Sequence, residues 1–87
     1  KENEIWQKYY NPNFPRCQYN VTLITDDIAI VERTQDGGRL GFTPYVNNEV
    51  SDNYYFTLDK AILAALCIKY LGSDSGVEMI IRALDME

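Results

Sequence analysis

The sequence predicts an α+β fold: an antiparallel meander of three or four strands packed against a C-terminal helical pair, with a short helix at the N-terminus. Three observations predict it. Tyr19, Val21 and Leu23 alternate with Asn20, Thr22 and Ile24 with the period of a strand, and Ile28–Arg33 is rich in β-branched residues. Asp36-Gly37-Gly38 follows with the residues a tight hairpin demands, because glycine supplies positive φ without strain. From Leu58 onward the apolar spacing changes to three and four, the period of a helix. The chain has 87 residues, enough for one domain spanning 1–87 and one hydrophobic core.

Residues 3–10 carry Ile5, Trp6 and Tyr9 at helical spacing, which predicts the short first helix. Pro12 and Pro15 then enforce a loop from Asn11 to Arg16. Gln18–Thr25 is the first predicted strand, with Tyr19, Val21 and Leu23 on one side. Asp26-Asp27 supplies the turn, since Asp tolerates unusual backbone angles. Ile28–Arg33 and Arg39–Thr43 are the second and third strands. Pro44–Asn53 is polar and reads as irregular. Tyr54-Tyr55-Phe56 reads either as a fourth strand or as an aromatic approach to the next helix.

Thr57 is a suitable N-cap and Asp59 favours the first turn, so a helix is predicted over Leu58–Leu71, ended by Gly72. Ser75 and Glu78 have capping-box spacing, which predicts a last helix over Gly76–Met86. The helix over 58–71 is apolar nearly all round, a pattern that requires cover on several sides. The predicted core is Val21, Leu23, Ile28, Ile30, Leu40, Phe42, Leu58, Ile62, Leu66, Val77, Ile81 and Leu84.

Composition excludes several chemistries. The chain contains no histidine, so histidine triads, His-zinc sites and imidazole proton shuttles are impossible. The net charge of −5 opposes direct nucleic-acid binding, which needs excess Lys and Arg. Gly72-Ser73-Asp74-Ser75-Gly76 has Asp where a nucleophile elbow has its serine, and it follows a helix. Neither a phosphate-binding glycine loop nor a Cys-x-x-Cys pair occurs. No cofactor and no catalytic residue is therefore expected, and the reading is of a non-enzymatic protein. Cys17 and Cys67 read as thiols of a cytoplasmic protein, with a single disulfide between them left open. The longest apolar run, Ala61–Ile68, is far below the roughly 18 residues a membrane span needs. Lys1-Glu2-Asn3-Glu4, with no apolar run behind it, does not read as a signal peptide. Asn20-Val21-Thr22 matches a glycosylation sequon but falls in a predicted strand.

What remains is aromatic and acidic. Aromatic residues make up 13% of the chain, seven of them tyrosines, too many phenol hydroxyls for one small core. Exposed Tyr anchors protein interfaces because it offers large area at low entropy cost. Tyr45, Tyr54 and Tyr55, with Glu49 and Asp52 and the turn acids Asp26, Asp27 and Asp36, form the expected partner-binding set. The partner implied is a larger protein with a basic surface, which the acids would steer. Neither nucleic acid nor membrane is expected as a direct partner.

Tyr54-Tyr55-Phe56-Thr57-Leu58-Asp59-Lys60-Ala61-Ile62 resembles the aromatic–Thr/Ser–Leu–x–x–Ala segment that follows a small meander in short phage-encoded proteins. In size and acidity the chain is similar to anti-CRISPR and other host-takeover inhibitors. The resemblance implies inhibition or modulation of a host protein, such as a nucleic-acid-processing defence complex, in the host cytoplasm. The alternative is a structural or assembly protein that forms a homo-oligomer, such as a homodimer, through its apolar helix if the last helix leaves Leu63 and Cys67 uncovered.

Overall fold

The computed structural model describes residues 2–9, 12–13 and 16–84. The chain runs α1 (Glu2–Tyr9), β1 (Cys17–Leu23), β2 (Ile28–Gln35), β3 (Gly38–Val46), β4 (Glu49–Val50), α2 (Leu58–Leu71) and α3 (Val77–Ala83). The fold is α+β. The strands form one antiparallel sheet in the order β1-β2-β3-β4. The predicted residues Tyr10, Phe14, Pro15 and the end of the last helix lie outside the described residues.

Two hairpins fix the meander. Asp36 and Gly37 both have positive φ, at 54° and 82°, and join β2 to β3 as a two-residue primed turn. Asn47 and Asn48, at 52° and 67°, do the same between β3 and β4. Asn adopts this conformation more readily than other residues with a Cβ, which explains the pair. Residues 44–50 are therefore strand and turn, not irregular chain, and β3 continues through Pro44. The proline is tolerated because its position points to the β4 side. There its carbonyl accepts from Ser51 N–H at 3.0 Å, and no ladder bond to β2 is lost. The β1–β2 turn is held by Thr25 Oγ1, which accepts from the N–H groups of Asp27 and Ile28.

Alternation along the strands builds two cores. Ile28, Ile30, Phe42 and Val46 face α2 and α3, with Ala61, Ala64, Ala65, Cys67, Val77 and Ile81. Ala29, Val31 and Tyr45 face the other way, under Ile5 of α1, with Tyr19 and Val21 beside them. The sheet is thus covered on both faces. The three alanines of α2 are wholly buried. Their small side chains let the helix approach the sheet closely. They displace Leu66 outward, where it is 40% exposed. Leu23 and Leu84, also expected in the core, are exposed: Leu23 ends the edge strand, and Leu84 follows the last turn of α3. Leu40 is half-buried at a bulge, where Arg33 pairs with Gly41 and Thr34 with Arg39.

Helix ends follow the chemistry. Thr57 caps α2, its hydroxyl accepting from Lys60 N–H at 3.2 Å, and Gly72 closes it at φ 81° with its N–H on Ile68 O. The Ser75–Glu78 capping box does not form. Gly76 occupies the N-cap of α3, and Ser75 N–H bonds Ser73 Oγ instead. α3 packs on α2 and buries Cys67. Both cysteines are free thiols; Cys17 lies on the α1 side of the sheet and Cys67 on the other. No described helix is long and apolar enough to cross a membrane.

Candidate protein-binding surface

The chain leaves β4 along the edge of β3 and touches it at two places. Ser51 N–H bonds Pro44 O; farther on, Tyr55 and Phe42 exchange a pair of backbone hydrogen bonds at 2.7 and 2.8 Å. Between them Asp52, Asn53 and Tyr54 arch away from the edge. Strand alternation then sends Tyr55 inward and Tyr54 and Phe56 outward. Tyr55 is 9% exposed, whereas Tyr54 is 57% and Phe56 71% exposed.

Tyr54 is seated rather than loose. Its ring lies over Gly41, whose φ is 152°. A methyl group at Gly41 would come within 2.7 Å of Tyr54 Cδ2 and 3.3 Å of Tyr55 O. Only glycine leaves that space. Phe56 meets Tyr54 edge-on, with centroids 5.7 Å apart and planes at 87°, the favoured geometry for an aromatic pair. A groove of about 240 Å³ lies on one side of Tyr54, between Arg33, Leu40, Thr43, Val50 and Asp52. A second groove, about 380 Å³, lies on the other side, bounded by Phe56, Lys60, Asp74, Val77 and Glu78.

The arch is anchored from below. Tyr55 OH donates to Asp74 Oδ2 at 2.6 Å, and Asn53 Nδ2 donates to the same carboxylate. Burial, reinforced by the hydrogen bond to Asp74, raises the Tyr55 phenol far above its ordinary range. Partial burial acts to raise Asp74, but the hydrogen bonds from Tyr55 and Asn53 outweigh it and hold the carboxyl below its ordinary value. The α2–α3 turn is thereby tied to the aromatic segment.

The other expected contact residues are dispersed. Tyr45 is 5% exposed, with the Lys8 ammonium 5.4 Å from its ring centroid. Tyr45 and Tyr55 are therefore core residues, not exposed anchors. Both were drawn inward by strand positions whose faces meet a helix. Asp26 and Asp27 lie at one end of the sheet, beside Asn47 and Asn48, in a cleft of about 380 Å³. Asp27 is engaged there with Lys69 at 2.9 Å, a hydrogen bond that raises the lysine above its ordinary value. Glu49 is exposed at the start of β4, next to the same turn. Asp36 sits at the opposite end and pairs with Arg16 at 2.7 Å. Of the expected set, Asp52 and Tyr54 share one groove. The residues missing from that set are Phe56, which alternation with a buried Tyr55 would have indicated, and Gly41, whose role depends on the distant Tyr54.

Arg33 and Arg39, neighbours across the hairpin, do not share a face. The bulge sends Arg39 to Glu32 at 2.7 Å and over the Phe42 ring, while Arg33 lines the Tyr54 groove on the other side. No protein-family model matches the chain, and no curated protein or solved structure matches it either.

Proposed function

We propose that this chain is a non-enzymatic protein-binding module that docks on a larger protein with a basic surface. Its action is that of a phage-type inhibitor or modulator, of the anti-CRISPR kind, directed at a host protein such as a nucleic-acid-processing defence complex in the cytoplasm. The observation that carries the reading is the seating of Tyr54 on Gly41, exposed, with Phe56 edge-on beside it and a groove on each side. A ring held in place before binding loses little freedom on binding, so more of its contact energy appears as affinity. Asp52 borders one groove, and Asp74 and Glu78 the other. These acids suit Lys or Arg from a partner, and the net charge of −5 favours approach to a basic surface.

The test is capture from host lysate by the immobilised chain and by its Y54A/F56A variant, washed at low and high salt, with bound proteins identified by mass spectrometry. A stoichiometric partner held by the wild type, lost from the variant and released by salt supports the proposal. A partner held equally by both proteins and at both salt concentrations refutes it. The assembly reading through α2 is favoured by one observation: Leu66 and Tyr70, one helical turn apart, are 40% and 72% exposed. Its original premise fails at Cys67, which is buried. A monomer in light scattering at high concentration would dispose of it.

A further inference from the structure

We propose that the groove between Phe56 and α3 is an arginine-selective pocket, which takes one arginine side chain of the partner protein with its guanidinium stacked on the aromatic pair and forked onto Glu78. The proposal rests on the protein-binding reading above and names what that site recognises.

The two grooves beside Tyr54 differ in charge. The groove of about 240 Å³ holds one base and one acid, Arg33 and Asp52, so it favours neither sign. The groove of about 380 Å³ holds two acids, Asp74 and Glu78, against one base, Lys60. Asp74 is already committed to the arch, where it accepts from Tyr55 and Asn53. Glu78 is exposed in the first turn of α3 and, among the described residues, has no ion pair or hydrogen bond. The two carboxylates bear on one place. Burial and the bond to Asp74 raise the Tyr55 phenol, and the negative charge of Glu78 raises it further. Lys60 borders the groove but pairs with neither acid. Two like charges with no cation between them repel, and an incoming cation removes that repulsion.

Shape selects arginine over lysine. A guanidinium is flat, so it can lie on a ring and still direct its fork of N–H groups, in plane, at a carboxylate. An ammonium is a compact, strongly hydrated point charge that stacks poorly. The rings suit stacking. In an edge-on pair one ring covers a single face of the other, and Phe56, with most of its surface open to solvent, borders the groove. Val77, almost wholly buried, lies along the groove where the methylene stem of an arginine would rest.

The experiment titrates the nitrogen-15-labelled full chain with two capped peptides of equal charge, acetyl-Gly-Arg-Gly-amide and acetyl-Gly-Lys-Gly-amide, up to about 50 mM, and follows amide shifts by NMR. The arginine peptide is expected to shift the amides of Phe56, Val77 and Glu78 and to saturate with a Kd on the order of 10 mM. The lysine peptide should bind about two- to fivefold more weakly. E78Q and F56A should each weaken the arginine peptide about two- to fivefold. Both side chains are exposed, so each variant should melt within about 4 °C of the wild type, which separates lost binding from lost folding. Equal affinity for the two peptides, no saturable shift at those amides, or undiminished binding by E78Q would overturn the proposal. The docking reading stands or falls separately, by lysate capture. A partner held by the wild type and lost from Y54A/F56A, alongside a null peptide titration, would sustain docking and remove the arginine pocket.

Discussion

Gly41→Ala is the substitution whose effect the structure constrains most tightly. At φ 152° an L-residue is strained, at a cost of about 1–3 kcal/mol. The new methyl group must also displace Tyr54 Cδ2, 2.7 Å away, and press on Tyr55 O at 3.3 Å. The ring belongs to a half-exposed side chain and can swing aside, so its share lies near the low end of overpacking costs, about 1 kcal/mol. Tyr55 O cannot yield, because it accepts from Phe42 N–H at 2.7 Å. A total near 3 kcal/mol corresponds to a fall in melting temperature of roughly 12–24 °C for a domain of this size. Thermal and urea unfolding at pH 7 would measure it. In a Y54A background the same substitution should cost about 1 kcal/mol less, the coupling that a double-mutant cycle isolates. A cost below about 1 kcal/mol, or an equal cost in both backgrounds, would show that Tyr54 is not seated on Gly41, and the anchor argument would fall with it.

Three other outcomes are expected. Thr57→Ala should lower stability by about 1 kcal/mol and Thr57→Ser by much less, because the hydroxyl on Lys60 N–H is what is lost; paired melting curves test this. Tyr55→Phe should cost about 1–2 kcal/mol at pH 7, reduced from the full value of a charged hydrogen bond because Asp74 is partly open to water. The gap between Tyr55→Phe and wild type should vary with pH. Asp74 is held below its ordinary value of 3.8, so its stabilisation is complete above that pH and is lost as pH falls through the lower folded value. Tyr55 is raised, so its contribution is complete below pH 10 and is lost as pH climbs beyond it. Urea titrations at pH 3, 7 and 11 should show the widest gap at pH 7; a constant gap would contradict the Tyr55–Asp74 pairing. Y54A/F56A should change stability by less than about 1 kcal/mol while abolishing partner capture, since both rings are more than half exposed.

Local chemistry was legible wherever one residue type decides the backbone. Asp36-Gly37, Thr57 and Gly72 act as their side chains dictate, and the helix over 58–71 has the limits its caps predict. Asn47-Asn48 carried a comparable turn signal, but Pro44 before it reads as a strand breaker. The proline fits because its missing N–H falls on the β4 side, a fact set by register. The capping box at Ser75 failed for a similar reason: Asp74 is drawn to Tyr55 and Asn53, and the helix begins after Gly76.

The core was legible in part. Ile28, Ile30, Phe42, Val77 and Ile81 are buried as alternation and helical spacing require. An apolar residue has no address of its own, however. On α2 nearly every position is apolar, and the choice of Ala61, Ala64 and Ala65 over Leu66 was made by how closely the helix can approach the sheet. Tyr45 and Tyr55 are equally ambiguous. A tyrosine serves a core or an interface, and which one depends on the element that covers it.

The sequence by itself determined the α+β class, the Asp36-Gly37 turn, the caps of α2, the acidic charge and the absence of imidazole chemistry, because each follows from residue type and short-range spacing. Tertiary structure alone decided which tyrosines face solvent, that Gly41 and Tyr54 meet, that Asp74 ties the aromatic segment to the helices, and that β1 stands at an edge. Those are contacts between residues distant in sequence, fixed by strand register and helix packing rather than by any local preference.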